Sequence, residues 1–100
     1  MNNIIDTKYT YSSKSQALLD SYLKHDSIEN LKILMTGCDD TDKFKIGECL
    51  LLLIKSYDYI DLKKLSFIYF YLNRLLECSF YLEKYLKLHK NDFEMLCIYM

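Results

Sequence analysis

An all-α fold of about six short antiparallel helices follows from three features of this 100-residue chain. Apolar residues recur three and four positions apart along most of it. Ser, Asp or Asn followed three residues later by Gln or Glu marks several helix starts. No stretch alternates apolar and polar residues between hairpin turn signals, although Tyr and Ile are abundant. The most informative segment is Leu72 to Asp92: one helix ends, the chain turns at Asn73, and a second helix carries Leu75, Cys78, Leu82, Tyr85, Leu86 and Leu88 before Asn91-Asp92 stops it. Such a hairpin has an apolar face on each side and is built to stack.

Residues 1–12 show little periodicity and read as a flexible or extended arm ahead of one helical domain over 13–100. Ser13 with Gln16 makes a capping box, and the first helix turns Ala17, Leu18, Tyr22 and Leu23 inward. Asp26 with Glu29 repeats the device for a second helix with Ile28, Leu31, Ile33, Leu34 and Met35 inside, ended by Gly37 as a C-terminal cap. Cys38 to Asp42 is the most polar stretch. Its three aspartates lack the Gly and the distal Glu of a calcium loop, so it reads as a linker in which Thr41 or Asp42 caps the next helix. The third helix spans Lys43 to Tyr57 and is apolar on every side from Cys49 to Ile54, which calls for neighbours on more than one face. The fourth, Ile60 to Asn73, places Leu65, Ile68, Tyr69 and Leu72 on one side and Phe67, Phe70 and Tyr71 on others. The fifth is the stacking helix, with Glu83 and Lys87 paired on its wet side. Asn91 with Glu94 opens a sixth, whose apolar face is Phe93, Leu96, Cys97 and Met100.

Composition narrows the function classes. Half the residues are apolar, including ten Tyr and five Phe, so the chain is too hydrophobic to stay disordered. At this length it buries only about 65% of its unfolded surface, an adequate but thin core. Pro is absent, and Ala occurs only at Ala17, Arg only at Arg74 and Gly only at Gly37 and Gly47, while there are twelve Lys. The scarce residues have GC-rich codons, so the coding sequence is AT-rich and consensus Ala, Gly or Pro positions are expected to have drifted. The net charge is −1 and the lysines lie scattered among acids, which argues against nucleic acid as a direct partner. The N-terminus has no cationic, apolar signal and the longest apolar run, Cys49 to Ile54, is far below the roughly 20 residues of a membrane span. A cytoplasmic or nuclear location without membrane insertion is expected. Cys38, Cys49, Cys78 and Cys97 have no C-x-x-C spacing and, with His25 and His89, none of the turn spacing of a zinc site, so neither metal nor cofactor is expected. Catalysis is disfavoured on the same ground: the chain has two His, no phosphate-binding loop and no nucleophile motif.

Residues 59–92 resemble the tetratricopeptide repeat (TPR), a helix-turn-helix unit of about 34 residues. With the first position at Tyr59, Leu62 falls where the pattern has Trp, Leu65 and Tyr69 match in type, and Asn73 takes the turn Gly. Leu75 and Leu82 take the aromatic positions, Cys78 the small one, and Leu86 and Leu88 the two late leucines. The departures are Ser66 for Gly, Cys78 and Tyr85 for Ala, and Lys90 for Pro. Tyr85 is the serious one, since a large ring at a close-packed position must spread the helices or find a cavity. Over residues 25–58 only Ile28, Leu31 and Met35 agree, with Phe44 at a small position and Glu48 at an aromatic one. Leu72 to Asp92 and Phe44 to Leu50 also resemble the cytosolic domain of tail-anchored mitochondrial fission receptors.

The resemblance implies a small right-handed solenoid and a non-enzymatic module for protein–protein interaction, an adaptor for a partner's peptide or helix. Carrying the family's concave groove onto the chain puts Ile60, Lys63, Lys64, Phe67, Phe70 and Tyr71 on the binding side. Stacked repeats usually need about three units with polar ends, yet the last helix offers Phe93, Leu96, Tyr99 and Met100 as an uncovered docking end. A partner or a second copy is expected to cover it. The alternative is a built-in structural subunit of a large assembly, and a lesser one is a fission-receptor-like adaptor without the membrane tail.

Overall fold

Six α-helices and, among the described residues, no strand make up the computed structural model, which describes residues 10–99 and only the backbone of Tyr99. The helices are α1 (Ser13–Lys24), α2 (Ile28–Gly37), α3 (Asp40–Leu53), α4 (Tyr59–Tyr71), α5 (Leu75–Leu88) and α6 (Phe93–Tyr99). They fall into two compact units, one ending at Leu53 and the other beginning at Ile54. Residues 1–9 of the expected arm and Met100 lie outside the described residues.

In the first unit α1 packs along α2. The expected cap at Ser13 is displaced by one residue: Ser12 has the extended backbone, and its Oγ accepts from Ser15 N at 3.1 Å. Ser27 likewise replaces Asp26, accepting from Asn30 N at 3.1 Å. The inward residues of α1 are Ser15, Leu19 and Tyr22, whereas Ala17 and Leu23 face out. Ile33 of α2 is half exposed, and Leu31, Leu34 and Met35 are buried. Gly37 remains helical, with Cys38 as the C-cap. Its value is space: a Cβ there would lie 3.0 Å from Leu18 Cδ1, at the close approach of α1 and α2.

A polar knot ties the chain ahead of α1 to α3. Ser15 Oγ accepts from Ser12 Oγ at 3.1 Å and from Asp39 N at 3.0 Å, Asp42 Oδ2 accepts from Ser12 N at 3.1 Å, and Tyr11 Oη meets Cys49 Sγ at 3.7 Å. Asp42 is therefore not the cap of a helix starting at Lys43. The helix begins at Asp40, with the Asp39 carbonyl accepting from Lys43 N, and the buried Asp42 carboxylate instead bonds a backbone amide 30 residues earlier. Burial pushes the nearby Cys38 thiol above its ordinary range, although Lys43 opposes the shift. At its far end α3 stops at Leu53, four residues before the expected Tyr57, and Leu52 is exposed, so the apolar run is not covered all round.

In the second unit α4 packs along α5, and α5 against α6. Asp58 caps α4 by accepting from Asp61 N at 3.0 Å. The hairpin turn is a Schellman motif: Arg74 N donates to Tyr69 O at 2.9 Å and Asn73 N to Phe70 O at 3.0 Å, with Asn73 left-handed at φ 62°. Ser66, fully buried, donates its hydroxyl to Leu62 O at 2.8 Å. The core holds Leu62, Leu65, Phe67, Ile68, Cys78, Leu82, Tyr85 and Met95. Leu75 and Leu88 of α5, expected inside, are exposed. In α6 the inward residue is Met95, while Phe93 is 74% exposed and Cys97 is also outside. The register is set one residue beyond the expected Asn91, because Asp92 Oδ1 accepts from Met95 N.

Candidate functional site

The six residues assigned to a groove do not form one surface. Phe67 is 2% and Lys64 7% exposed, so neither presents its side chain to a ligand. A helix facing neighbours on several sides turns such positions inward, which the family pattern alone does not register. Lys63 is engaged: its Nζ lies 2.9 Å from Asp92 Oδ2. Tyr71 is half-buried, packing edge-on against Phe70 at 5.4 Å between ring centres and stacking with Phe67 at 6.3 Å. Only Ile60 and Phe70 offer open apolar surface. Of the docking end, Phe93 is exposed and Leu96 half-buried, Tyr99 is described by its backbone alone, and Met100 lies outside the described residues.

Tyr85 and Lys63 share one carboxylate. The Tyr85 ring is buried and its hydroxyl donates to Asp92 Oδ2 at 2.6 Å, while Lys63 Nζ binds the same oxygen. Lys63 also stands 5.7 Å from the Tyr85 ring centre. His89 stacks on Tyr85 at 5.0 Å and meets Tyr59 at 4.7 Å. One carboxylate thus joins α4, α5 and α6. Burial works to raise the Asp92 pKa, but the hydrogen bonds from Tyr85 and Lys63 outweigh it and hold the acid below its ordinary range. The Tyr85 phenol is pushed well up, first by burial and then by the Asp92 carboxylate it serves. Tyr85, Lys63 and Asp92 satisfy one another, and the second Asp92 oxygen takes Met95 N, so the work of this cluster is to lock the register of α6.

Open, chemically distinctive surface lies instead on α5. Tyr57 from the segment before α4, Leu62 from α4, and Phe80, Tyr81, Lys84, Lys87 and Leu88 from α5 line a cleft of about 600 Å³. Its wall is an aromatic ladder. Tyr81 stacks nearly parallel with Tyr57 at 6.1 Å and with Tyr69 at 5.6 Å, and the Arg74 guanidinium covers Tyr69 at 5.2 Å. Burial, then the neighbouring tyrosines, raises the Tyr81 phenol, which stays neutral at ordinary pH. Phe80 meets Tyr81 edge-on at 5.0 Å and carries Lys84 Nζ 4.8 Å over its face. The lining thus has five apolar or aromatic side chains, two ammonium groups and no carboxylate.

Beyond the cleft the same helix continues as bare apolar surface. Leu76 is 87% exposed, and Leu75, Phe80 and Leu88 are each more than half exposed. Leu76, Phe80, Lys84 and Leu88 follow one another at four-residue spacing, a single row of about 18 Å along the helix. The sequence pattern placed Leu75 and Leu88 inside, passed over Phe80, Tyr81 and Lys84, and used Tyr57 only as a helix end and Lys87 only as a wet-side partner of Glu83. The signal was available in Leu75-Leu76 and Phe80-Tyr81, adjacent pairs that cannot share one helix face.

Among the described residues no three His, Cys, Asp or Glu side chains are grouped to hold a metal ion, and no helix is long and apolar enough to cross a membrane. No protein-family model, curated protein or solved structure matches the chain.

Proposed function

We propose that this chain is a non-enzymatic protein-interaction module whose docking surface is the outer face of α5 with the adjoining cleft. The observation that carries this reading is the row Leu76, Phe80, Lys84 and Leu88 beside the Tyr57–Tyr81 wall. Surfaces that keep large apolar side chains in water, next to rigid aromatic rings, are characteristic of interaction sites. Rings held in a ladder lose little conformational freedom when a partner arrives.

The reading includes a TPR-like arrangement of residues 59–92. The left-handed Asn73 at the turn, the buried small residues Ser66 and Cys78, and buried Leu62, Leu65 and Leu82 support it. The binding face differs from the one the family implies, having moved from α4 to α5. The reason is that Lys64 and Phe67 are consumed by packing and Lys63 by Asp92.

The test is affinity purification of the full chain from its native cell, wild type beside Phe80→Asp and Leu76→Asp. The expected result is a specific co-purifying protein that both variants lose. Equal recovery by wild type and variants would overturn the assignment. A second reading, a subunit built permanently into an assembly, is favoured by the additional exposure of Phe44, Leu52 and Phe93. That reading requires the isolated chain to aggregate when expressed alone, whereas an adaptor stays soluble.

A further inference from the structure

We infer that the occupant of the α5 face is an acidic amphipathic helix of a partner protein. The proposal rests on the docking surface just assigned and specifies its ligand. Three observations carry it. The row from Leu76 to Leu88 is an i, i+4 ridge about three turns long and inclined to the helix axis, the kind of ridge against which a second helix packs, so it matches a helix better than a single extended side chain or a small molecule. The cleft lining is cationic: Lys84 and Lys87 belong to it and no carboxylate does, while Glu83 stands outside it and Glu77, also outside, is paired with Arg74. The two kinds of surface follow one another along the helix, exposed Leu75, Leu76 and Phe80 preceding the lysines and exposed Leu88 closing the row.

That order dictates the ligand. An apolar side chain seats against Tyr57, Leu62, Tyr81 and Phe80, and others of the same helix face lie on Leu76. Lys84 and Lys87 are three residues apart, neighbours on the helix surface. They are satisfied by carboxylates spaced three or four residues apart beside the anchor. A basic helix is rejected, because it would set ammonium groups against ammonium groups.

The experiment uses the full chain and a synthetic 16-residue helical peptide with Leu at i, i+3, i+4 and i+7 and Glu flanking them, followed by fluorescence anisotropy. Controls replace every Glu by Gln or by Lys. The Glu peptide is expected to bind about tenfold or more tightly than the Gln peptide, the Lys peptide not at all, and binding is expected to weaken with salt. In Lys84→Glu/Lys87→Glu, whose changed side chains are exposed, the preference is expected to invert toward the Lys peptide. Equal binding of Glu and Gln peptides, with Phe80→Asp abolishing both, overturns the acidic ligand and leaves the docking face standing. Binding indifferent to Phe80→Asp overturns both. Absence of binding by the Glu peptide overturns the acidic ligand, as does self-association in sedimentation that Phe80→Asp abolishes, which would make the occupant a second copy.

Discussion

Tyr85 stands where a small residue was expected, and its solution is chemical as much as steric. The ring fills space between helices while its hydroxyl reaches Asp92, seven residues on, which also holds Lys63. Tyr85→Phe keeps the ring and removes one donor from a charged acceptor, so it is expected to cost about 1–2 kcal/mol in chemical denaturation. Lys63→Glu is expected to cost more, since it sets a second carboxylate against Asp92; it would therefore report on folding before binding. The sign of the pH dependence follows from the depressed Asp92 pKa. The unfolded acid titrates near its ordinary 3.8, so this stabilisation is complete above that value and is lost as pH falls through the lower folded value. Asp92→Asn is expected to be less stable at neutral pH and to lose less stability than wild type between about pH 4 and pH 2, measured by urea midpoints.

The helices illustrate how local rules place an element before they place its face. Capping chemistry located the starts of α1, α2 and α6 to within about two residues, because a short oxygen-bearing side chain at a helix start is a local requirement. Choosing between adjacent candidates such as Ser12 and Ser13, or Asn91 and Asp92, needed the backbone, which is extended at Ser12. Asn73 was legible as the turn because Asn tolerates the left-handed region, and its φ of 62° bears this out. Asn73→Gly is expected to be neutral or slightly stabilising, and Asn73→Val to lower stability by about 1–2 kcal/mol, read as a fall in melting temperature. Ser15 carried no local signal at all. Its hydroxyl serves Asp39, 24 residues away, and Ser15→Ala is expected to cost about 1–2 kcal/mol by stranding that amide.

At the scale of the chain, the excess of large apolar residues over interior places has a direct consequence. Phe44, Leu52, Leu76, Phe80, Leu88 and Phe93 remain at the surface, as a thin core of this size requires. Replacing Leu76 and Phe80 by Gln is expected to reduce binding of an apolar dye and change folding stability by no more than about 0.5 kcal/mol. A loss of several kcal/mol would instead mean that these side chains belong to the core.

Helical class, the number of helices and the hairpin at Asn73 were legible in the order of residues, because periodicity, capping and turn chemistry act over a few positions. Tertiary structure alone decided that Lys63 is held by Asp92, why Phe67 is inside and Phe80 outside, and how Asp42 and Asp92 are used. Those outcomes depend on contacts between residues far apart in the chain or on different helices, where several apolar or charged side chains compete for the same place and local sequence cannot name the winner. The candidate surface moved from α4 to α5 for that reason. Packing consumed Lys64 and Phe67 of one helix and left the row on the other exposed.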